Sequence, residues 1–252
     1  MNTRRSVFAA LAAGLAMLAG AASAFAAETK VAVAANFTEP AKEIAARFEA
    51  RTGHKATLSF GSSGQFYTQI ANGAPFEVFL SADTERPQKA EADGLAVPAT
   101  RFTYATGRLV LWSKTPGLVD ARGAVLTKRL FQKIAIADPR AAPYGLAAVE
   151  TLKKLNLYDR LTPKLVTGTS ITQAYQFIDT GAAELGFVAL SQVINHSEGS
   201  RWIVPAADHT PIAQQAVLLK TGADNPAAKA FLQFLKGSEA KAIIRRYGYE
   251  VR

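Results

Sequence analysis

Cysteine is absent from this chain of 252 residues, and histidine occurs only three times, as His54, His196 and His209. Without cysteine there are no disulfide bonds and no thiolate chemistry, so an apolar core must hold the fold together. No pair of histidines has the spacing of metal ligands, and no GxxxxGK[ST] loop is present. These absences exclude the common patterns of zinc and nucleotide sites, and no cofactor is expected.

Patches of interleaved basic and aromatic residues, which many nucleic-acid-binding proteins use, are also missing. The chain has 29 lysines and arginines against 20 aspartates and glutamates, a formal net charge of +9. The basic residues are scattered along the sequence, which indicates solvated faces. We therefore expect no nucleic-acid partner, although the positive field favours anions in general.

Residues 1–26 have the pattern of an export signal rather than of a folded element. Arg4 and Arg5 supply a charged start, and the alanine-rich stretch at 7–22 is too short and too weakly apolar for a membrane span. Cleavage after Ala24 or after Ala26 would place small residues where the peptidase needs them, and Ala26 is favoured. The start resembles a twin-arginine signal only loosely, so the general secretory route is favoured.

Apolar strand-like runs alternate with helix-like runs over most of the remaining chain, which predicts an α/β fold with parallel strands and helices on both faces. The last two helices, expected at 225–235 and 238–247, have no strand series of their own. We expect them to cover the first part of the chain, so that the chain crosses between two lobes near residues 105 and 213. The predicted units are 27–105 with 214–252 as the first lobe and 106–213 as the second, with a ligand cleft between them.

Four turns at the carboxyl ends of expected strands carry hydrogen-bond donors and lead into helices. Backbone N–H groups at a helix start lack partners within the helix and carry the positive end of its dipole, so such turns suit an anion. A pocket rich in donors fits a fully deprotonated oxyanion, which can only accept hydrogen bonds. Asp138 is the one carboxylate at these junctions, and it can brace its own turn instead. The turns contain Asn36, Ser62 with Ser63, Tyr144, and Thr169-Ser170-Ile171.

Each of these residues also has an ordinary structural explanation. Asn36 tolerates a left-handed turn, the serines are common helix caps, and Tyr144 can be a packing residue. Catalysis is the weaker interpretation, because GSSG at 61–64 does not match the Gly-x-Ser-x-Gly elbow. A hydrolase using Ser63 would also need a base that the sequence does not supply. We expect a binding protein rather than an enzyme.

Six segments carry a family resemblance through their order and spacing: VAANFT at 33–38, FGSSG at 60–64, GAPFEVFLSAD at 73–83, ADP with PYG at 137–145, ELGFVA at 184–189 and RYGY at 246–249. Over nearly its whole length after the export signal, the chain resembles the periplasmic molybdate-binding proteins of bacterial molybdate ABC importers. The resemblance implies a two-lobed type II periplasmic binding-protein fold that closes on molybdate or tungstate. It further implies a periplasmic monomer that delivers the ion to a membrane permease. Sulfate or another tetrahedral oxyanion is the alternative ligand.

The resemblance also implies site residues. Asn36 falls where the family places a polar side-chain donor, often serine, and Ser63 matches the family's second serine. Tyr144 and Ile171 fall where the family offers backbone N–H groups. Ala189 departs from the pattern, since some members have there a tyrosine that reaches the ligand, and Asn36 and Tyr144 are the candidates to replace that donor. The expected ligand shell is completed by Ala35, Ser62 and Ser170.

Overall fold

The structure is a computed structural model that describes residues 26–128 and 130–251. The predicted export signal lies outside the described residues, apart from Ala26. The strands are β1 Glu28–Ala34, β2 Lys55–Gly61, β3 Val78–Leu80, β4 Phe102–Gly107, β5 Leu109–Ser113, β6 Ile134–Ala137, β7 Leu165–Gly168, β8 Leu185–Ala189, β9 Ser200–Ile203 and β10 Ile212–Leu218. The helices are α1 Thr38–Thr52, α2 Ser63–Ala71, α3 Glu85–Ala92, α4 Pro143–Lys154, α5 Tyr158–Leu161, α6 Ile171–Asp179, α7 Leu190–Val193, α8 Pro226–Lys236 and α9 Ser238–Arg246.

The strands form two five-stranded mixed sheets, in the orders β2-β1-β3-β10-β4 and β7-β6-β8-β5-β9. In the first sheet β1 pairs in parallel with β2 and β3, while β10 is antiparallel to β3 and β4. In the second sheet β6 is parallel to β7 and β8, while β5 is antiparallel to β8 and β9. The predicted α/β class with parallel strands is confirmed, and each sheet also has antiparallel strands.

We call the first sheet with α1, α2, α3, α8 and α9 the first half, and the second sheet with α4 to α7 the second half. The chain passes from the first sheet to the second across a single residue, Arg108, and returns between Ile203 and Ile212. These positions are close to the predicted crossings near residues 105 and 213. The last two helices pack against α1, as the sequence predicts. The residue bounds given above for the two lobes stay a prediction.

Alternating side chains of β1 explain why helices cover both faces of the first sheet. Val31 and Val33 belong to the apolar cluster shared with α1, α8 and α9, whereas Ala32 belongs to the cluster with α2 and α3. Successive residues of a strand point to opposite faces, so the wholly apolar run of β1 is buried on both sides. A third cluster, which includes Leu111 and Phe187, forms the core of the second half.

Helix α4 begins at Pro143. Pro143 occupies the first helical position, where its fixed backbone angle suits a helix and its missing N–H is not needed. Tyr144 therefore lies in the first turn of the helix rather than in the turn before it. Among the described residues, none of the helices has the length and apolar character needed to cross a membrane.

Candidate functional site

A small cavity lies between the two halves, where β1 and β2 end and where α2, α4 and α6 begin. About 10 Å³ of it is open to the centre of a water-sized sphere. An oxygen atom of an oxyanion is about the size of a water molecule. The 10 Å³ should therefore be compared with the space that the centres of the oxygen atoms occupy, and not with the volume of the whole ion. Organic ligands of drug size need pockets of roughly 300 to 1,000 Å³. The lining residues are Ala34, Ala35, Asn36, Gly61, Ser62, Ser63, Ala82, Ala142, Pro143, Tyr144 and Ile171.

The four main predicted site residues, Asn36, Ser63, Tyr144 and Ile171, are thus brought together around one cavity. Ser63 and Ile171 are the first residues of α2 and α6, and Tyr144 is the second residue of α4. The first N–H groups of a helix have no acceptor inside that helix. Three helix starts from the two halves, which carry the positive ends of the helix dipoles, therefore border the same small space.

The two adjacent serines differ in how their hydroxyl groups are used. The Ser63 Oγ accepts a hydrogen bond from the backbone N–H of Ala82 at 2.9 Å, which leaves its own proton available. The Ser62 side chain is 3% exposed, and its Oγ has no partner among the described residues. Ser62 occupies the N-cap position of α2 but makes no capping hydrogen bond. A buried hydroxyl without a partner costs about 1–3 kcal/mol, so its presence at the cavity requires an explanation.

The remaining two members of the expected ligand shell are placed differently. Ala35 lines the cavity, whereas Ser170 is not among the lining residues. Ser170 caps α6, because its Oγ accepts a hydrogen bond from the N–H of Gln173 at 3.3 Å. Ser170 therefore has the ordinary capping role in the structure.

A buried polar network surrounds Asn36 beside the cavity. The Asn36 Nδ2 donates to Gln214 Oε1 at 2.9 Å and to Tyr249 Oη at 3.0 Å. The Asn36 carbonyl accepts from Tyr249 Oη at 2.7 Å and from Ser191 Oγ at 2.8 Å. Both amide protons of Asn36 are used within this network. Because Ser191 belongs to the second half and the others to the first, the network also joins the two halves.

Gln214 extends the network to two more tyrosines. Its Oε1 accepts from Tyr104 Oη at 3.0 Å, and its Nε2 donates to Tyr144 Oη at 3.3 Å. Burial raises the pKa of Tyr104 and of Tyr144 well above the ordinary value. Burial likewise raises the pKa of Tyr249 to about 12. These hydroxyls therefore stay protonated and neutral throughout the physiological pH range.

Two further contacts join the halves beside the residues that line the cavity. The N–H of Gly64 in α2 donates to the carbonyl of Ala141 at 2.9 Å. The Arg86 Nη2 donates to the carbonyl of Arg140 at 2.8 Å, and Asp83 holds Arg86 in place through an ion pair. Both contacts connect the first half to the turn that precedes α4.

None of the lining residues is charged, and none is a histidine or carboxylate. Ser63 consequently has no base among the lining residues, which gives no support to the hydrolase alternative. No group of three or more metal-ligating His, Cys, Asp or Glu side chains occurs in the described part of the chain. The arrangement can offer neutral donors to a small anion, which needs no side-chain cation for binding.

Sequence reasoning assigned no role to Gln214, Tyr104, Tyr249 or Ser191. A signal for Gln214 existed, since β10 alternates and Gln214 shares a face with the buried Ala216 and Leu218. At the departure from the family pattern, Ala189 is fully buried and is not among the lining residues. The backbone N–H of Ala189 is also occupied, because it donates to Gln192 Oε1 at 3.0 Å.

Two α/β halves that enclose a small, uncharged, donor-rich cavity define a two-lobed periplasmic binding-protein fold, and solved structures of that class superpose on this chain. The chain belongs to the bacterial extracellular solute-binding protein family, and the sequence model of that family matches residues 29–250. The predicted resemblance is confirmed by curated relatives. The molybdate-binding protein ModA of Rhodobacter capsulatus is 61% identical over 240 residues, covering 95% of this chain and 93% of the relative.

Structural neighbours agree with this assignment. The periplasmic molybdate-binding protein of Azotobacter vinelandii has a TM-score of 0.87 and 46% identity, covering 89% of this chain and 99% of the other. The sulfate-binding protein SubI of Mycobacterium tuberculosis has a TM-score of 0.73 but only 14% identity, covering 90% of this chain and 87% of the other. The second likeness shows a shared fold alone.

Proposed function

We propose that this protein captures molybdate or tungstate in the cavity between its halves and holds the ion with neutral donors. The observation that carries the proposal is the convergence of three helix starts and the Ser62 hydroxyl on one small, uncharged space. A tetrahedral oxyanion without protons would give that hydroxyl its missing acceptor. The expected donors are the side chains of Asn36 and Ser63 and the backbone N–H groups of Tyr144 and Ile171. Ser62 and Ala35 lie beside them.

The choice of molybdate or tungstate over sulfate rests on the relatives. The curated proteins with 61% and 56% identity are both named molybdate-binding proteins, whereas the sulfate-binding neighbour is 14% identical. Sulfate is smaller, so a cavity that fits the larger ions makes longer hydrogen bonds to it. We therefore propose that sulfate binds more weakly and that molybdate and tungstate bind alike.

The cellular role follows from the same family. We propose that residues 1–26 direct export, that the mature protein works as a monomer in the periplasm, and that it delivers the ion to the membrane permease of an ABC importer. No cofactor is needed for this role, and no catalytic step is proposed. The family description as extracellular solute-binding proteins supports this placement.

Calorimetric titration of the purified mature protein, residues 27–252, tests the proposed ligand. Saturable 1:1 binding of molybdate and tungstate, with weaker sulfate and phosphate, is the expected result. Tight binding of sulfate with no heat from molybdate would move the protein to sulfate capture. Heat from none of the four ions would refute oxyanion capture altogether. Sedimentation of the same sample checks the proposed monomer.

A further inference from the structure

Gln214 stands out among the buried polar residues, because it joins two of the predicted ligand residues. It is fully buried on β10, and its carboxamide contacts Asn36 of the first half and Tyr144 of the second. It does not line the cavity itself. Any effect of Gln214 on a bound ion must therefore act through its neighbours.

Gln214 contacts the side-chain amide of Asn36, and this contact bears on which way that amide faces. Both protons of the Asn36 amide are directed at Gln214 and Tyr249, and its Oδ1 has no partner among the described residues. A deprotonated oxyanion accepts hydrogen bonds and repels a carbonyl oxygen, so it requires the NH₂ group of Asn36. The Asn36 carboxamide must turn over before it can donate to such an ion.

Turning Asn36 alone would set its Oδ1 against the Oε1 of Gln214, and two acceptors cannot pair. If Gln214 turns over as well, its NH₂ group donates to Asn36 Oδ1 and to Tyr104, and its Oε1 accepts from Tyr144. The tyrosine hydroxyls permit this reversal because each can donate or accept. Tyr249 Oη turns its proton from the Asn36 carbonyl to Asn36 Oδ1, and the carbonyl keeps its hydrogen bond from Ser191 Oγ. Tyr104 then donates to the carbonyl of Ser81, which lies 3.2 Å from its Oη.

We propose that Gln214 is a positioning residue whose carboxamide turns over together with that of Asn36, so that Asn36 presents its NH₂ group to the bound oxyanion while every buried partner keeps a hydrogen bond. This inference rests on the proposed function, since it concerns the same cavity. It adds a residue outside the cavity to the determinants of affinity. It also explains how a glutamine, rather than an apolar residue, comes to occupy this buried position of β10.

A double-mutant cycle with molybdate as the probe separates this role from general packing. Gln214→Met keeps the length of the side chain but removes both hydrogen-bonding groups, and Asn36→Ala removes the group on which Gln214 acts. We expect each single change to weaken molybdate binding by roughly tenfold. The double variant should be no weaker than Asn36→Ala alone. Losses that simply multiply would overturn the inference.

Gln215→Met is the matched control, because the neighbouring amide of β10 contacts Arg101 and Thr103 rather than the cavity network. Its affinity for molybdate should equal that of the unchanged protein. A loss as large as that of Gln214→Met would mean that β10 as a whole, and not the Gln214 amide, controls binding, which overturns the inference.

Side-chain ¹⁵N–¹H spectra of the unchanged protein provide a readout that packing alone does not move. On saturation with molybdate, the NH₂ signals of Asn36 and Gln214 should shift together, and those of Gln215 should stay in place. A shift of Asn36 without Gln214 contradicts the coupled reversal, even if Gln214→Met does not fold. If the unchanged protein binds no molybdate at all, the proposed function fails and this inference fails with it.

Discussion

The backbone N–H of Gly64 donates to the carbonyl of Ala141 across the boundary between the two halves, at 2.9 Å. A Cβ atom added at Gly64 would lie 3.0 Å from the Ala141 Cα and 3.1 Å from its carbonyl oxygen. Both of these are backbone atoms, which cannot rotate away as a flexible side chain would. The absence of a side chain at Gly64 is therefore what allows the halves to meet at this contact.

Replacing Gly64 by valine should hold the halves apart. Overpacking of this kind costs about 1–3 kcal/mol, so molybdate affinity should fall by roughly tenfold or more. Calorimetry measures the change, and Gln65→Ala, an exposed neighbour on the same helix, serves as the control. Equal affinity in Gly64→Val and the unchanged protein would show that closure at this contact is not required.

Ser62→Ala should have opposite effects on stability and on binding. It removes a buried hydroxyl without a partner, so the ligand-free protein should gain about 1 kcal/mol of unfolding free energy. Molybdate affinity should fall, because the ion loses a donor. Urea denaturation and calorimetry measure the two quantities separately.

Ser63→Ala is the informative comparison for that experiment. Here the N–H of Ala82 loses its acceptor, so stability should fall rather than rise, while binding again weakens without loss of the fold. If Ser62→Ala lowers stability as much as Ser63→Ala does, the Ser62 hydroxyl has a structural partner and its assignment to the ligand shell is wrong.

Arg86→Met should speed the release of a bound ion. The guanidinium of Arg86 donates across the boundary to the Arg140 carbonyl, and its side chain is only 18% exposed. Losing this contact should raise the dissociation rate by several-fold, with a smaller effect on association. Stopped-flow displacement of molybdate by tungstate measures the rate.

Arg140→Met provides a matched control for charge. The Arg140 side chain is 89% exposed and pairs only with Asp138 among the described residues, while its carbonyl remains available to Arg86. Its dissociation rate should match that of the unchanged protein. Similar acceleration in both variants would indicate that positive charge near the opening, and not the contact, slows release.

The pH dependence of stability should reflect the three buried tyrosines. Burial raises the pKa of Tyr249 from 10.0 to about 12, so the folded protein retains a proton that the unfolded chain loses. The resulting stability is fully present below pH 10 and is lost as the pH rises toward 12. Unfolding free energies measured from pH 8 to 12 should show this fall, and Tyr249→Phe should reduce its slope. An unchanged slope would mean that groups other than Tyr249 cause the loss of stability in this pH range.

Molybdate affinity itself should be nearly constant from about pH 6 to 9, since the only titratable lining residue is Tyr144 and its pKa is raised well above the ordinary value. Calorimetry across this range checks the expectation. A step near pH 6.5 would point to a histidine contribution that the cavity does not contain.

The sequence predicted the α/β class and most elements because β1 and β3 contain short apolar runs, β2 alternates polar with apolar residues, and clear helix signals lie between these strands. It also predicted that Asn36, Ser63, Tyr144 and Ile171 meet, since all four follow strand ends. It could not predict that Ser170 is used as a cap while Ser62 is left without a partner, because both occupy N-cap positions with the same residue type. That difference depends on which backbone N–H groups lie within reach.

The network around Gln214 was beyond sequence reasoning for a different reason. Its members are separated by up to 213 residues along the chain, and the hydrogen bond between Asn36 and Tyr249 joins near opposite ends. Pairings over such distances follow from how β10 and the C-terminal segment return to the first sheet. Local patterns carry no information about them.

The return of β10 to a position between β3 and β4 of the first sheet has a consequence for the order of folding. The second sheet is built from residues 109–203 without interruption, so all of its strands are present once that stretch has been synthesised. The first sheet has β10 between β3 and β4 and stays incomplete until Leu218 is available. Because β4 is joined to β3 only through this distant strand, the half that begins the chain is the last to be finished. The cavity, which both halves line, can form only after nearly the entire chain is available.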